Sequence, residues 1–107
     1  MSHLELFTDG DLDQETLIAN AFLPAAIDSL EIMQAHIAGN KNEKEWLEAA
    51  HKLKGSSAQI GAENLSALCL KAEKDAAKMT LKEKNVLLDH INDTLLKVQI
   101  FFKSRQT

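Results

Sequence analysis

The segment NEKEWLEAAHKLKGSSAQIG, residues 42–61, reads as one helix with both of its ends encoded. Asn42 is a favoured N-cap, and Glu45 three residues on completes a capping box. Gly61 supplies the stop, so the helix is expected to reach about Ile60. At about 100° per residue, Trp46, Ala49, Ala50, Leu53, Ser57 and Ile60 share one flank. That flank is a core stripe. His51 falls opposite its centre and is expected to point into water from the middle of the helix.

The same reading extends outward in both directions. A helical region is expected from about Asp13 to Ala38. Pro24 lies inside it, which predicts a short helix ending near Ala21 and a longer one starting near Leu23. Leu23, Ile27, Leu30, Met33 and Ile37 form its expected apolar stripe, and Gly39 ends it. On the other side, a helix is expected from about Asn64 to Lys78 with Leu65, Leu68, Ala72 and Ala76 inward. Thr80-Leu81-Lys82-Glu83 is a second capping box. It opens a last helix carrying Leu88, Ile91, Leu95, Val98 and Phe102 at spacings of three and four. One proline, four glycines and no tyrosine argue against a many-stranded sheet. The short links place consecutive helices antiparallel. The expected fold is therefore all-α: an up-down-up-down antiparallel four-helix bundle with a short extra N-terminal helix. Residues 1–12, with Thr8-Asp9-Gly10-Asp11, read as a tail, and residues 13–107 as one domain.

Size and charge narrow the function. The chain has 107 residues with 12 basic and 16 acidic side chains, a formal charge of 12 − 16 = −4. One compact domain is expected at this length, with no room for a separate nucleotide-binding domain. Net acidity without a basic run argues against a nucleic-acid or anionic-membrane surface. A lone cysteine, Cys69, fits a reducing compartment. The first residues lack the basic-then-apolar pattern of a signal peptide, and no apolar stretch is long enough to span a bilayer. A small cytoplasmic protein is the expectation.

The exposed face around His51 carries the chemistry. Lys44, Leu47, Glu48, Lys54, Gly55 and Ala58 lie within about 60° of it on the helical projection. Gly55, at i+4, costs the helix about 1 kcal/mol relative to alanine, and folding asks for no glycine there. Its missing side chain clears space beside the imidazole, and Ala58 is also small. Lys54, at i+3, places an ammonium beside whatever the ring carries, unless it merely pairs with Glu48 or Glu63. Imidazole is a good nucleophile when one nitrogen is unprotonated, and its ordinary pKa of about 6.5 leaves much of it neutral. An exposed ring with a cation on one flank and open space on the other suits a carried phosphoryl group. Phosphoryl transfer needs positioning and charge stabilisation more than covalent machinery. No acidic cluster here would hold Mg²⁺, so that ion is expected on the partner.

Residues His51 to Ala62, HKLKGSSAQIGA, closely resemble the signature of histidine-containing phosphotransfer (HPt) domains. The likeness continues through Leu65, Leu68, Cys69 and Glu73, over roughly residues 13–105. The resemblance implies phosphorylation of His51 on Nε2, with Lys54 and Gly55 supporting the site. It also implies that response-regulator receiver domains dock over it, with a hybrid sensor histidine kinase as a further candidate partner. In several relatives the position 22 residues after the histidine hydrogen-bonds the imidazole; here that is Glu73. Glu73 is expected to accept from Nδ1–H and leave Nε2 free, unless it pairs only with Lys71, Lys74 or Lys78. The chain should then be a monomeric carrier with no ATP site and no cofactor of its own. It would take a phosphoryl group from an aspartyl phosphate and pass it to a response regulator.

Other residues carry weaker signals. Leu47, Glu48, Ala58 and Gln59, with the exposed edge of the helix from about Phe22 to Ile37, are the expected partner surface. Ser56 and Ser57 turn toward the core side and are expected to pack there or to bond a backbone carbonyl. His36 and His90 read as ordinary helix-surface residues, and His3 as part of the tail. Cys69 reads as core or boundary. The histidines and cysteine give no zinc-ligand pair, and the glycine-serine run lacks the Gly-Lys-Ser/Thr ending of a phosphate loop. The rival reading is a helical adaptor that binds a receiver or other partner without covalent chemistry.

Overall fold

Residues 12–106 are described by the computed structural model. The other residues of the expected tail, 1–11 with His3, lie outside the described residues, as does residue 107. Four α-helices follow in order: α1 Leu12–Ile37, α2 Glu43–Gln59, α3 Glu63–Lys74 and α4 Leu81–Gln106, with a 3₁₀ turn at Ala76–Lys78. No strand occurs among the described residues. α1 packs on α2 and α4, and α3 packs on the same two. The four helices thus close a ring around one core. Both 26-residue helices rise about 39 Å, which matches the long axis of 41 Å.

Local chemistry sets the ends. Asn42 and Glu45 form the expected reciprocal capping box, with Oδ1 accepting from Glu45 N–H at 2.9 Å and Oε1 accepting from Asn42 N–H at 3.1 Å. Thr80 and Glu83 do the same for α4. At the other ends, Gly39 and Gly61 take the left-handed region at φ 88° and 78°. Asn40 N–H to Ala35 C=O and Ala62 N–H to Ser57 C=O close the six-residue return of a Schellman motif. α3 stops at Lys74, short of the Lys78 expected from periodicity, and the chain tightens into the 3₁₀ turn.

The core contains Trp46, Ala49, Ala50, Leu53 and Ser57 from α2 with Ile60 at its C-cap, as their spacing predicts, and Leu88, Ile91, Leu95, Val98 and Phe102 from α4. In α3, Leu65, Cys69 and Ala72 turn inward, as does Ala76 in the 3₁₀ turn, while Leu68 is only half-buried. Burial pushes the Cys69 thiol up to about 12, so it stays protonated and packs as an apolar group.

α1 departs from expectation in two ways. It is one unbroken helix through Pro24, with no separate short helix before it among the described residues. Proline deletes one helical hydrogen bond, but Pro24 sits on the exposed face, where water satisfies the freed carbonyl. Buried Ala19, Phe22 and Ala26 on the opposite side hold the helix through it. The inward stripe is also rotated: Phe22, Ala26, Ser29, Leu30, Met33 and His36 are buried, Leu23 is half-buried and Ile27 is exposed.

His36 is the largest correction, because it is buried rather than on the surface. Its Nδ1 donates to Lys41 C=O at 2.9 Å, and its Nε2 accepts from the buried Lys84 ammonium at 2.9 Å. Lys84 also donates to Glu43 Oε1 at 3.2 Å and lies 5.3 Å from the Trp46 ring centroid. This cluster ties α1, α2 and α4 at one end of the bundle. Replacing His36 with alanine leaves a buried ammonium short of an acceptor. His36→Ala should therefore lower unfolding free energy by about 1–3 kcal/mol, read as a fall in urea midpoint. A change within a few tenths would show that the cluster carries no stability.

Candidate functional site

α2 buries one flank and leaves His51 on the other, with 68% of its side chain exposed. α3 runs alongside, and because Ala72 points into the core, Glu73 at the next position turns to the α2–α3 seam. The two helices thereby bring together His51, Lys54 and Glu73. Glu73 Oε2 lies 2.8 Å from His51 Nδ1, and Oε1 accepts from Lys54 Nζ at 2.7 Å. Both Lys54 and Glu73 are about a quarter exposed, at 26%. The ring is open to solvent while the groups that hold it are partly shielded.

The Lys54 ammonium, more than any other neighbour, holds the Glu73 carboxyl below the usual carboxylate range; partial burial opposes this and the His51 hydrogen bond adds to it. An ionised carboxylate accepts only, so His51 Nδ1 carries the proton in this contact. Whenever the ring is neutral, its free lone pair is then on Nε2. The expected His51–Glu73 contact is thus present. The Lys54–Glu73 pair was not expected, since Glu48 and Glu63 were the sequence candidates for that lysine. No spacing rule within one helix gives a contact between α2 and α3.

Gly55 is exposed, and a Cβ added there meets nothing within 4 Å. The chain's own packing therefore does not require glycine at this turn. Ala58 and Glu48 are exposed along the same helix. Leu47 is not a fully wet residue as projected; it is half-buried against the core. Gln59 lines an apolar groove with Ile18, Ala21, Phe22, Ala25, Ser56 and Ile60, between α1 and α2. Phe22, itself buried, is part of that groove's lining.

Ser56 and Ser57 donate to Lys52 and Leu53 carbonyls, as expected, and leave the site to other groups. Two further cross-helix hydrogen bonds, both to backbone carbonyls, are not legible in the sequence. Trp46 Nε1–H donates to Ala72 C=O at 2.9 Å, and Ser66 Oγ–H to Lys54 C=O at 3.2 Å. The tryptophan's apolar position was legible, but not the destination of its N–H. Among the described residues no group of three or more His, Cys, Asp or Glu side chains is arranged to hold a metal ion. Likewise, no helix is long and apolar enough to cross a membrane.

The lowered Glu73 carboxyl makes folding depend on acid. Around pH 4 the folded chain binds fewer protons at this group than the unfolded chain does. Its stabilisation is complete above the ordinary carboxylate value and is lost as pH falls through the lowered one. The stability difference between the native sequence and Glu73→Gln should therefore shrink from pH 6 to pH 3 in urea titrations. A difference that stays constant or widens in acid would contradict the ionised bridge.

The Hpt domain family model matches residues 18–99, more than half of the chain. No curated protein and no solved structure registers as a match. The matched span takes in α2 and α3 whole, with the imidazole, the ammonium and the carboxylate that meet between them, and the chain belongs to the Hpt domain family.

Proposed function

We propose that this Hpt domain carries a phosphoryl group on His51 Nε2 between receiver domains. Family membership brings a phosphotransfer role in two-component signalling. The observation that carries the residue assignment is the 2.8 Å contact of His51 Nδ1 with Glu73, made by a ring that is otherwise open to solvent. It supports a ring that keeps its proton on Nδ1 toward Glu73 and presents Nε2 outward.

The step balances as follows. The Nε2 lone pair forms a bond to phosphorus as the bond from phosphorus to the donor's aspartyl oxygen breaks, leaving that carboxylate free. The ring becomes cationic, and the Nδ1 proton stays shared with Glu73, whose negative charge opposes the new positive one. Lys54, one turn along, supplies a mobile positive charge for the phosphoryl oxygens. Transfer onward reverses these bonds, with an aspartate of a second receiver as acceptor. The Mg²⁺ that offsets charge on the aspartyl side belongs to the partner. The chain is a carrier without an ATP site of its own, working as a monomer in the cytoplasm.

Gly55 and Ala58 keep the approach to Nε2 low, and Leu47, Glu48 and Gln59 frame it. The groove between α1 and α2 offers apolar area for the docking receiver. An up-down-up-down course is supported by the pairs that meet. Trp46 of early α2 meets Ala72 of late α3, and Lys54 of late α2 meets Ser66 of early α3. Lys84 of early α4 meets His36 of late α1.

Incubation with a phosphorylated receiver should place acid-labile, base-stable phosphate on the protein. His51→Gln should abolish it with the fold intact; labelling that survives in this variant refutes the assignment. Gly55→Ala separates folding from approach. It should raise stability by about 1 kcal/mol, since the added methyl meets nothing. The same change should slow transfer about tenfold, because it lifts the partner off a near-contact geometry. Unchanged transfer kinetics in that variant would remove Gly55 from the site.

A further inference from the structure

The geometry points to Trp46 as a positioning residue for the site, one that acts through Glu73 and never touches His51. This inference rests on the carrier reading for its importance, but its structural content stands separately. Trp46 is fully buried, and its one polar group, the indole N–H, donates to Ala72 C=O at 2.9 Å. Ala72 lies in the last turn of α3, where carbonyls lose their partners within the helix. Lys71 C=O is taken by Asp75 N–H at 3.0 Å, and the carbonyl after it is taken by the indole. Trp46 thus caps α3 from outside, on the very turn that carries Glu73.

The indole is itself held in place. The Lys84 ammonium sits 5.3 Å from its ring centroid and the His36 ring 5.4 Å from it. At the other end of the seam, Ser66 Oγ–H donates to Lys54 C=O. The two cross-helix bonds bracket the triad and fix the register of α3 on α2. Register matters because a 2.8 Å contact tolerates only a few tenths of an ångström of slip. Without the indole cap, the last turn of α3 loosens and the Glu73 carboxylate no longer selects the Nδ1–H form of His51.

The experiment reads the His51 tautomer directly, by long-range ¹H–¹⁵N correlation of the imidazole in unphosphorylated protein. Trp46→Phe keeps an aromatic ring in the core and deletes the N–H. The ratio of Nδ1–H to Nε2–H forms should fall about two- to tenfold, the worth of one hydrogen bond. Helical circular dichroism should be retained. Ile91→Val, a core change in α4 remote from the cap, should leave the ratio alone. In a Glu73→Ala background, Trp46→Phe should produce no further shift. An unchanged ratio in Trp46→Phe overturns the inference, as does a shift that persists without Glu73. If Trp46→Phe fails to fold, 3-benzothienylalanine at position 46 makes the same comparison, with sulfur replacing N–H in the same shape. No receiver or phosphate enters the measurement, so failure of phosphotransfer cannot be mistaken for failure of this proposal.

Discussion

One carboxylate, that of Glu73, accepts from two side chains of a different helix, and the functional half of the molecule is organised around it. Its contacts to His51 and Lys54 are short, at 2.8 and 2.7 Å. Yet ion pairs this exposed are worth at most about 1 kcal/mol, so stability is not what the arrangement chiefly provides. What it fixes is direction. A histidine free on a helix surface samples several rotamers and both neutral tautomers. Anchored at Nδ1, it keeps one ring orientation and one available nucleophilic nitrogen. The second oxygen of the same carboxylate parks the lysine beside the ring. In the proposed carrier role, the oxygens of an incoming phosphoryl group would compete for that ammonium, while His51 Nδ1 keeps its proton and goes on donating it to Glu73.

The rest of the bundle is arranged to keep that carboxylate in place. Burying Lys84 carries a large desolvation cost, which its hydrogen bonds to His36 and Glu43 and its position over Trp46 offset. Apolar side chains would fill this space at less cost, but they would not orient an indole. The buried cluster sets the Trp46 ring, the indole caps α3, and α3 carries Glu73. Position is thereby passed from the end of the bundle to the face that carries His51 through ordinary packing and hydrogen bonds.

How much of this was legible in the sequence depended on the range of the interaction. Asn42 with Glu45 and Thr80 with Glu83 are separated by three residues, and both capping boxes form as read. The exposure of His51 followed from the phase of a helix with a clean apolar stripe. α1 has apolar residues on several sides, so its phase was ambiguous: Leu23 and Ile27 were placed inward where Phe22 and Ala26 are. Pro24 was given its local cost without the tertiary burial on either side of it. His36 was misplaced because the lysine that satisfies it lies 48 positions away. The Lys54–Glu73 pair required knowing how two helices sit against each other, which no local pattern contains. The contact between His51 and Glu73 was reached only through family resemblance.

A phosphoryl carrier faces two opposed demands: its nucleophile must be open to large partners and yet hold one orientation before any partner arrives. Surface residues on loops meet the first demand and fail the second. In the role proposed for His51, the conflict is resolved by dividing a single ring between two environments. Nδ1 belongs to the protein, held in a seam whose register is fixed by buried bonds, while Nε2 belongs to the solvent. Gly55 sharpens the division, since the turn next to the ring gives up helix propensity to stay bare, and nothing in the chain's own packing asks for it. A surface helix under selection for folding alone would carry a side chain there. Under the proposed function, that empty space belongs to an intermolecular geometry, left open for a partner that brings an aspartate within bonding reach of Nε2.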